Sequence, residues 1–320
     1  MQNIHTAFEE AIKARPALRS NLTPLLPYIR EDISDIYFNR PRELILQYTN
    51  GKRIVEAVHA LSGQWLEGMV SLFANLSGQR FDIDTHPVIG FKLPGGHRVQ
   101  VVSGSSVASR YSMAIRVCRQ ALFSVAGFGF SQEDAAFIGS AVQDKKTLLI
   151  SGGTGAGKTS LLNALIPFIP TDERLIAIED VPELRIAHAN TVQLLYSTNQ
   201  SDVGNVDAKA LLNASLRLNP DRLLLGEIRQ HNAMVFFRAI NTGHPGSIAT
   251  IHANNPDDAL EAVIEYMAMN GDIVEGSFGT TQNRLRRSIY AVIQLNKEPG
   301  QASRGYYQIM QPEPLLRRVK

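Results

Sequence analysis

Cysteine is almost absent from this 320-residue sequence: Cys118 stands alone. With one thiol, no intramolecular disulfide and no cysteine-based zinc site can form, so a reducing compartment is expected and a redox role is not. Cys118 itself is expected to pack as a small buried apolar residue. No run approaches 18 apolar residues, so no segment is expected to cross a bilayer as a helix. The opening Met1-Gln2-Asn3-Ile4-His5-Thr6 carries no apolar stretch of the signal-peptide kind, and a cytoplasmic protein is the expectation. Net charge is also scarce: 32 Lys and Arg against 30 Asp and Glu leave +2, too little to argue for bulk nucleic-acid binding. No internal repeat and no low-complexity tract is found. What remains, 44% hydrophobic and 19% charged, is the composition of a globular chain of one large or two ordinary domains.

Against these absences one segment stands out. Gly152-Gly153-Thr154-Gly155-Ala156-Gly157-Lys158-Thr159 fits G-x-x-x-x-G-K-[ST], the P-loop, without mismatch. Four fixed positions match by chance in roughly one chain in a hundred of this length. The surroundings lower that further. Thr147 to Ser151 before it suits a buried parallel strand, and Leu161, Leu162, Leu165 and Ile166 after it lie at helical spacing up to Pro167. Strand, glycine loop and helix are the order that phosphate binding needs: inward-turned N–H groups and a helix N-terminus face the anion. The expected nucleotide contacts are therefore Gly152, Gly153, Thr154, Gly155, Ala156, Gly157, Lys158, Thr159 and Ser160, with Lys158 on the β- and γ-phosphates and the Thr159 hydroxyl on Mg²⁺. ATP and Mg²⁺ are the expected cofactors.

The chain divides by pattern. Residues 1–116 read as a smaller α+β N-terminal domain. Its first helix stops before Pro16, strands lie near Asp35–Asn39, Leu44–Tyr48, His97–Val102 and Ser112–Val117, and a helix runs over Trp65–Ser77 with Trp65 in the core. Residues 117–130 read as a linker with apolar anchoring at Gly127-Phe128-Gly129-Phe130. From 131 to 320 apolar strands alternate with helices, the α/β signature of a mainly parallel sheet with covered faces. Strands are expected at 175–178, 191–196, 222–225, 247–250 and 288–295, and a helix at about 207–218. Another helix is capped by Asn255 with Pro256 behind it. Leu22 to Ile29 is apolar enough for peripheral membrane contact, although Pro24 and Pro27 interrupt it.

In open parallel sheets ligands sit beyond the carboxyl ends of the strands. Two strands here end in carboxylates, at Glu179-Asp180 and at Glu227. Glu227 follows Leu223-Leu224-Leu225-Gly226 as in a Walker B strand and is expected to polarise the attacking water or to hold Mg²⁺ through water. Glu179 is expected to share the metal-side role. A helix-capping carboxylate is the alternative for each. His252, after Thr250-Ile251, is placed to sense a γ-phosphate or to relay a hydrogen bond to Glu227; a satisfied buried histidine is the ordinary reading. His244 lies in a segment that is a turn by composition.

Taken in order, these segments resemble the VirB-type hexameric traffic ATPases of type IV secretion and conjugation, relatives of the type II secretion and type IV pilus motors. The likeness covers nearly the whole chain. Ile178-Glu179-Asp180-Val181-Pro182-Glu183-Leu184 is similar to that family's Asp box, Leu216 to Arg229 to its Walker B segment, and Asn241 to Asn254 to its His box. Ile33 to Pro41 resembles the opening strand of its N-terminal domain. The resemblance implies a RecA-like C-terminal ATPase domain and a homohexameric ring. It implies nucleotide bound between the domains, with Arg98 and Arg116 reaching the γ-phosphate and moving with the N-terminal domain. Arginine suits that role through its forked, always-charged guanidinium. A solvated strand position is the alternative for both. Two departures stand out: Gln230-His231-Asn232 after the Walker B segment, expected to alter the adjoining surface, and the lack of a proline near Val117-Cys118-Arg119.

The function so implied is Mg²⁺-dependent ATP hydrolysis powering protein or DNA transfer. The implied place is the cytoplasmic face of a bacterial inner membrane, against inner-membrane components of a secretion channel, with no stable nucleic-acid binding. A pilus-retraction motor is the near alternative. A nucleic-acid motor on a RecA-like core is more distant, since no aromatic-basic run accompanies the small net charge.

Overall fold

Ile4, Phe8 and Ile12 recur at helical spacing and form the buried side of α1 (Ile4–Lys13) in the computed structural model, which describes residues 4–118, 123–180, 182–196, 206–297 and 303–310. Pro16 ends that pattern and opens α2 (Pro16–Leu22) at its first position, where a missing N–H costs nothing. The strands β1 (Ile33–Arg40), β2 (Glu43–Tyr48) and β3 (Arg53–Ala57) follow. Next comes α3 (Gly63–Ser77), whose N-cap Ser62 accepts a hydrogen bond from Trp65 N and which stops at Gly78. Then come β4 (Val88–Lys92), β5 (Arg98–Ser103) and β6 (Tyr111–Arg116). The six strands pair antiparallel in the order β3-β2-β1-β6-β5-β4.

These elements form one of two compact units into which the described residues fall, 4–118 in the first and those from 123 onward in the second. Leu22, Leu25 and Ile29 are fully buried in the first unit's core. The apolar stretch considered for membrane contact is thus spent on packing. Trp65 also packs against that core, its indole N–H donating to Asn21 O at 2.8 Å.

In the second unit come α4 (Gln132–Gln143), β7 (Leu148–Gly152), α5 (Lys158–Leu165), β8 (Leu175–Glu179), β9 (Thr191–Leu195) and α6 (Ala208–Ser215). They are followed by β10 (Arg222–Leu225), α7 (Ala233–Asn241), β11 (Ile248–Ile251), α8 (Pro256–Met269), α9 (Phe278–Ser288), β12 (Ala291–Asn296) and β13 (Arg304–Ile309). The sheet order is β13-β12-β7-β11-β10-β8-β9. All neighbours are parallel except the terminal β12–β13 pair. Alternate strand residues feed two cores, as a two-sided sheet requires. Leu149, Ile176, Leu223 and Leu225 join α6, α7, α8 and α9; Leu148, Ile150, Leu175 and Leu224 join α4 and α5. The fold class is the expected one, a mainly parallel α/β sheet beside an antiparallel α+β unit.

Two differences from the sequence reading have physical reasons. The late strand begins at Ala291 rather than Ser288, because Ser288 closes α9, its hydroxyl donating to Arg284 O and to Asn241 Oδ1 at 2.8 Å each. Helix α9 itself buries only Thr281 and Leu285, too sparse a stripe to announce a helix. Of the segment read as a linker, Val117 is buried in the first core, and Val125, Phe128 and Phe130 are buried in the second; residues 119–122 lie outside the described residues. At the amino end of β10, Arg222 is fully buried. Its guanidinium donates to both Glu173 carboxylate oxygens and to Val142 O. Among the described residues no helix is long and apolar enough to cross a membrane.

Candidate functional site

Parallel strands bring the ends of β7, β8, β10 and β11 to one edge of the sheet, and each carries one of the residues singled out above. The loop after β7 turns tightly through Gly155 and Gly157, at φ +72° and +94°, backbone that side-chain-bearing residues seldom adopt. Gly153, Thr154 and Gly155 are exposed, while Lys158 is only 7% exposed. Its Nζ donates to Gly152 O at 2.8 Å and Gly153 O at 3.1 Å, and lies 3.0 Å from His252 Nδ1. The lysine charge is therefore held at the loop by the Gly152 and Gly153 carbonyls. Thr159 and Ser160 stand half-buried in the first turn of α5.

His252 continues the chain of contacts. With Nδ1 accepting from Lys158, its Nε2 carries the proton and faces Glu227 Oε1 at 3.2 Å. Glu227 Oε2 accepts from Arg229 Nη2 at 2.8 Å, and the same nitrogen lies 3.7 Å from Asp180 Oδ2. The sheet fixes this geometry. At Gly226 a Cβ would come within 3.3 Å of Glu179 Cγ and 3.4 Å of Ile178 O, so glycine lets β10 close on β8. Thr250 Oγ1 donates to Gly226 O at 2.5 Å. Asn232, fully buried, donates to Glu227 O at 3.0 Å and accepts from Arg229 N at 2.8 Å.

The expectation for Gln230-His231-Asn232 is thus corrected in part. Asn232 is no surface residue but the brace of the turn that carries Glu227 and Arg229. Sequence reasoning missed Arg229, Asn232 and Asp180 as members of the cluster. The available signal was an arginine two residues past a strand-end carboxylate, where both side chains leave on one side.

Glu179 is placed differently from Glu227. It is 2% exposed, and its Oε1 accepts from the backbone N–H groups of Glu183 at 2.8 Å and Leu184 at 2.9 Å. Its Oε2 is buried without a partner among the described residues. Glu179 therefore hydrogen-bonds the loop after β8 rather than Lys158, His252 or Glu227. His244 sits at the opposite, amino end of β11. There its Nδ1 lies 3.1 Å from Pro220 O, and its carbonyl accepts from Ser247 Oγ. It shapes a turn. Arg98 and Arg116 belong to the first unit, where they stand opposite each other on β5 and β6. Arg116 Nε donates to Asp35 Oδ1 at 3.2 Å.

The two carboxyl groups are pushed apart. Burial raises Glu179 to about 7, beyond what its two backbone N–H bonds offset. For Glu227, burial acts upward too, but the hydrogen bonds from His252 and Arg229 and the Arg229 charge outweigh it and hold the group at about 2. The sign for Glu179 follows from linkage. Its folded value exceeds the unfolded 4.5, so its contribution is complete below 4.5 and lost as pH rises through about 7. Above that, the fold holds a buried carboxylate. In Glu179→Gln the second unit is therefore expected to be about as stable as in wild type at pH 5 and more stable than in wild type at pH 8.5, by up to about 3 kcal/mol. Calorimetric melts at both pH values check this; a gap that does not widen with pH contradicts it.

The arrangement suits a polyphosphate. It offers an open glycine loop, a lysine whose ammonium donates to two loop carbonyls, and an ionised carboxylate one hydrogen-bonded histidine away. For a divalent cation it offers the half-buried Thr159 hydroxyl and the Glu227 carboxylate, a sparse set that fits an ion keeping most of its waters. Among the described residues no cluster of three or more His, Cys, Asp or Glu could hold a metal by itself.

A family model described as "Type II/IV secretion system protein" matches residues 20–309. The type IV secretion system protein VirB11 of Bartonella henselae is 33% identical, with 81% of this chain and 83% of the relative covered. The protein VirB11 of Rhizobium radiobacter is 37% identical, covering 75% and 78%. Among solved structures, the VirB11 ATPase from the Brucella suis type IV secretion system, in complex with sulphate, superposes with a TM-score of 0.50 at 26% identity, covering 94% and 96%. The pilus retraction motor PilT with bound ADP shares the fold, with a TM-score of 0.65 at 16% identity, covering 91% of this chain and 83% of that one.

Proposed function

Because the chain belongs to the type II/IV secretion system protein family and is a P-loop ATPase, we propose that it works as a homohexameric motor. Its Mg²⁺-dependent ATP hydrolysis would power protein or DNA transfer through a type IV secretion channel. The observation that carries this reading is the unbroken path from Lys158 through His252 to Glu227, which joins the phosphate-binding loop to a carboxylate two strands away.

In this reading the N–H groups of 153–157 and the start of α5 receive the phosphates. Lys158 leaves the Gly152 and Gly153 carbonyls for the β- and γ-phosphate oxygens. Thr159 would hold Mg²⁺, with Glu227 reaching it through water; the ion would supply charge neutralisation on the phosphates. Glu227, ionised, accepts a hydrogen bond from the water in line with the γ-phosphorus, and His252 fixes its orientation. Glu179 acts at one remove, holding the loop after β8 beside the site. Residues 1–116 form an N-terminal domain, joined by 117–130 to an ATPase domain over 131–320. Arg98 and Arg116 of the first domain reach the γ-phosphate, and its loss on hydrolysis frees that domain to move. The motor works at the cytoplasmic face of the inner membrane against the channel's inner-membrane components.

Light scattering of the purified chain with and without ATP and Mg²⁺ tests the assembly. A mass of six chains in the presence of nucleotide is expected. A monomer under every condition, together with hydrolysis that persists without Mg²⁺, would sink the motor reading.

A further inference from the structure

We infer that Lys297, just past β12, is a second phosphate-binding cation of the nucleotide site, exchanging a loop carbonyl for the polyphosphate when nucleotide binds; this rests on the reading of 152–159 as the seat of that nucleotide. Strand β12 runs parallel to β7, with Leu295 opposite Gly152. Its carboxyl end therefore reaches the same edge of the sheet as the glycine loop, and Lys297 stands two residues beyond the level of Gly152. The approach is close. A Cβ on Gly152 would lie 2.6 Å from Leu295 O, so glycine at 152 lets β12 seat directly against the base of the loop.

From that anchored strand end the Lys297 side chain turns onto the loop tip. Its Nζ donates to Gly155 O at 3.4 Å, and both residues are exposed. Lys158 reaches the same loop from α5, donating to Gly152 O and Gly153 O. Two ammonium groups from different elements thus converge on carbonyl oxygens within the four residues 152–155. A phosphate oxygen is the stronger acceptor for an ammonium, because its charge adds to the hydrogen bond. The flexible four-carbon stem of lysine lets the head change partner while the backbone stays in place.

The return side of the same hairpin separates bracing from charge. Ser303, just before β13, donates from Oγ to Ala156 O at 2.6 Å. In a planar trans peptide the C=O and N–H point opposite ways. Holding Ala156 O outward therefore turns the Gly157 N–H toward the inside of the loop, where an anion is received. That short bond braces the loop. The Lys297 contact is long for an N–H···O bond and adds little to the brace. What it adds is a positive charge at the rim of the open loop.

The test is titration calorimetry of the purified full chain with the non-hydrolysable β,γ-imido analogue of ATP and Mg²⁺, at about 0.05 M and about 0.5 M NaCl. Wild type, Lys297→Gln, Lys297→Arg and Lys158→Ala are compared, each shown to be folded by circular dichroism. At the lower salt Lys297→Gln is expected to bind about tenfold more weakly than wild type, the loss of a charge-assisted hydrogen bond at an exposed position. The gap narrows to about threefold or less at the higher salt, where exposed charges are screened. Lys297→Arg, which keeps the charge, recovers most of the lost affinity. The inference is overturned if Lys297→Gln binds within about twofold of wild type at the lower salt, or if its deficit is the same at both salts, since a neutral tether would then account for the lysine. If Lys158→Ala loses binding while the Lys297 pattern fails, Lys297 alone drops out of the site. If wild type does not bind the analogue, or Lys158→Ala binds it as wild type does, the nucleotide is not seated on this loop and that reading falls together with the inference.

Discussion

Replacing Lys158 by alanine is expected to lower ATP turnover at least about a thousandfold. Removal of one preorganised donor from a developing charge typically costs a hundred- to a thousandfold, and Lys158 supplies a full charge as well. The change also alters the loop. The Gly152 and Gly153 carbonyls accept from the Lys158 ammonium at 2.8 and 3.1 Å. Without it, two carbonyl oxygens face the place where phosphate oxygens must come, and binding is disfavoured before chemistry begins. His252 loses its Nδ1 donor at the same time. Phosphate release under steady state, with circular dichroism to show an intact fold, is the measurement. Activity above about a tenth of wild type would show that the lysine is not where the phosphate charge is met.

Glu227→Gln is expected to separate binding from turnover. A general-base or water-orienting carboxylate contributes on the order of a hundred- to ten-thousandfold, so kcat should drop within that range while ATP affinity stays near wild type. Affinity is spared because Glu227 lies beyond β10, away from the loop and from Lys158, touching the latter only through His252. Glutamine keeps the shape and an acceptor oxygen for Arg229, but it replaces an anion by a neutral amide. With Glu227 held at about 2, the anion is fully formed at any pH of interest. Its contribution to stability is present above the unfolded 4.5 and disappears only as pH falls through about 2, opposite in sign to Glu179. Equilibrium binding of ATP beside single-turnover hydrolysis distinguishes the outcomes. Turnover within fivefold of wild type would move the water-orienting role to another group.

Two carboxyl groups that end neighbouring strands and titrate in opposite directions are what acid–base assignments are usually made from. The sequence foretold their positions but not their difference. Both end apolar strands and both precede loops; nothing local says that one faces a histidine and an arginine while the other turns onto backbone N–H groups. That distinction depends on the Gly226 approach and on the loop at 183–184, which are tertiary facts. The P-loop was legible because its glycines, lysine and flanking apolar runs are contiguous. The strands β7, β8, β10 and β11 were legible because buried parallel strands read as unbroken apolar runs. Helix α4 was not, since its buried Ile138, Gly139, Ala141 and Val142 make a narrow, weakly apolar stripe. Nor was Asn232, a polar side chain whose burial makes sense only beside the turn it braces.

The single tryptophan of the chain, Trp65, lies in the first unit, and the buried clusters of the two units have no residue in common. Its emission during heating or denaturant titration therefore follows the loss of one core only. A substitution at Lys158, Glu179 or Glu227 could unravel the nucleotide-binding sheet and leave that signal unchanged. Two units with cores of their own also remove the licence to speak of one melting temperature. The optical probe that comes free with this protein is blind to the half that does the chemistry.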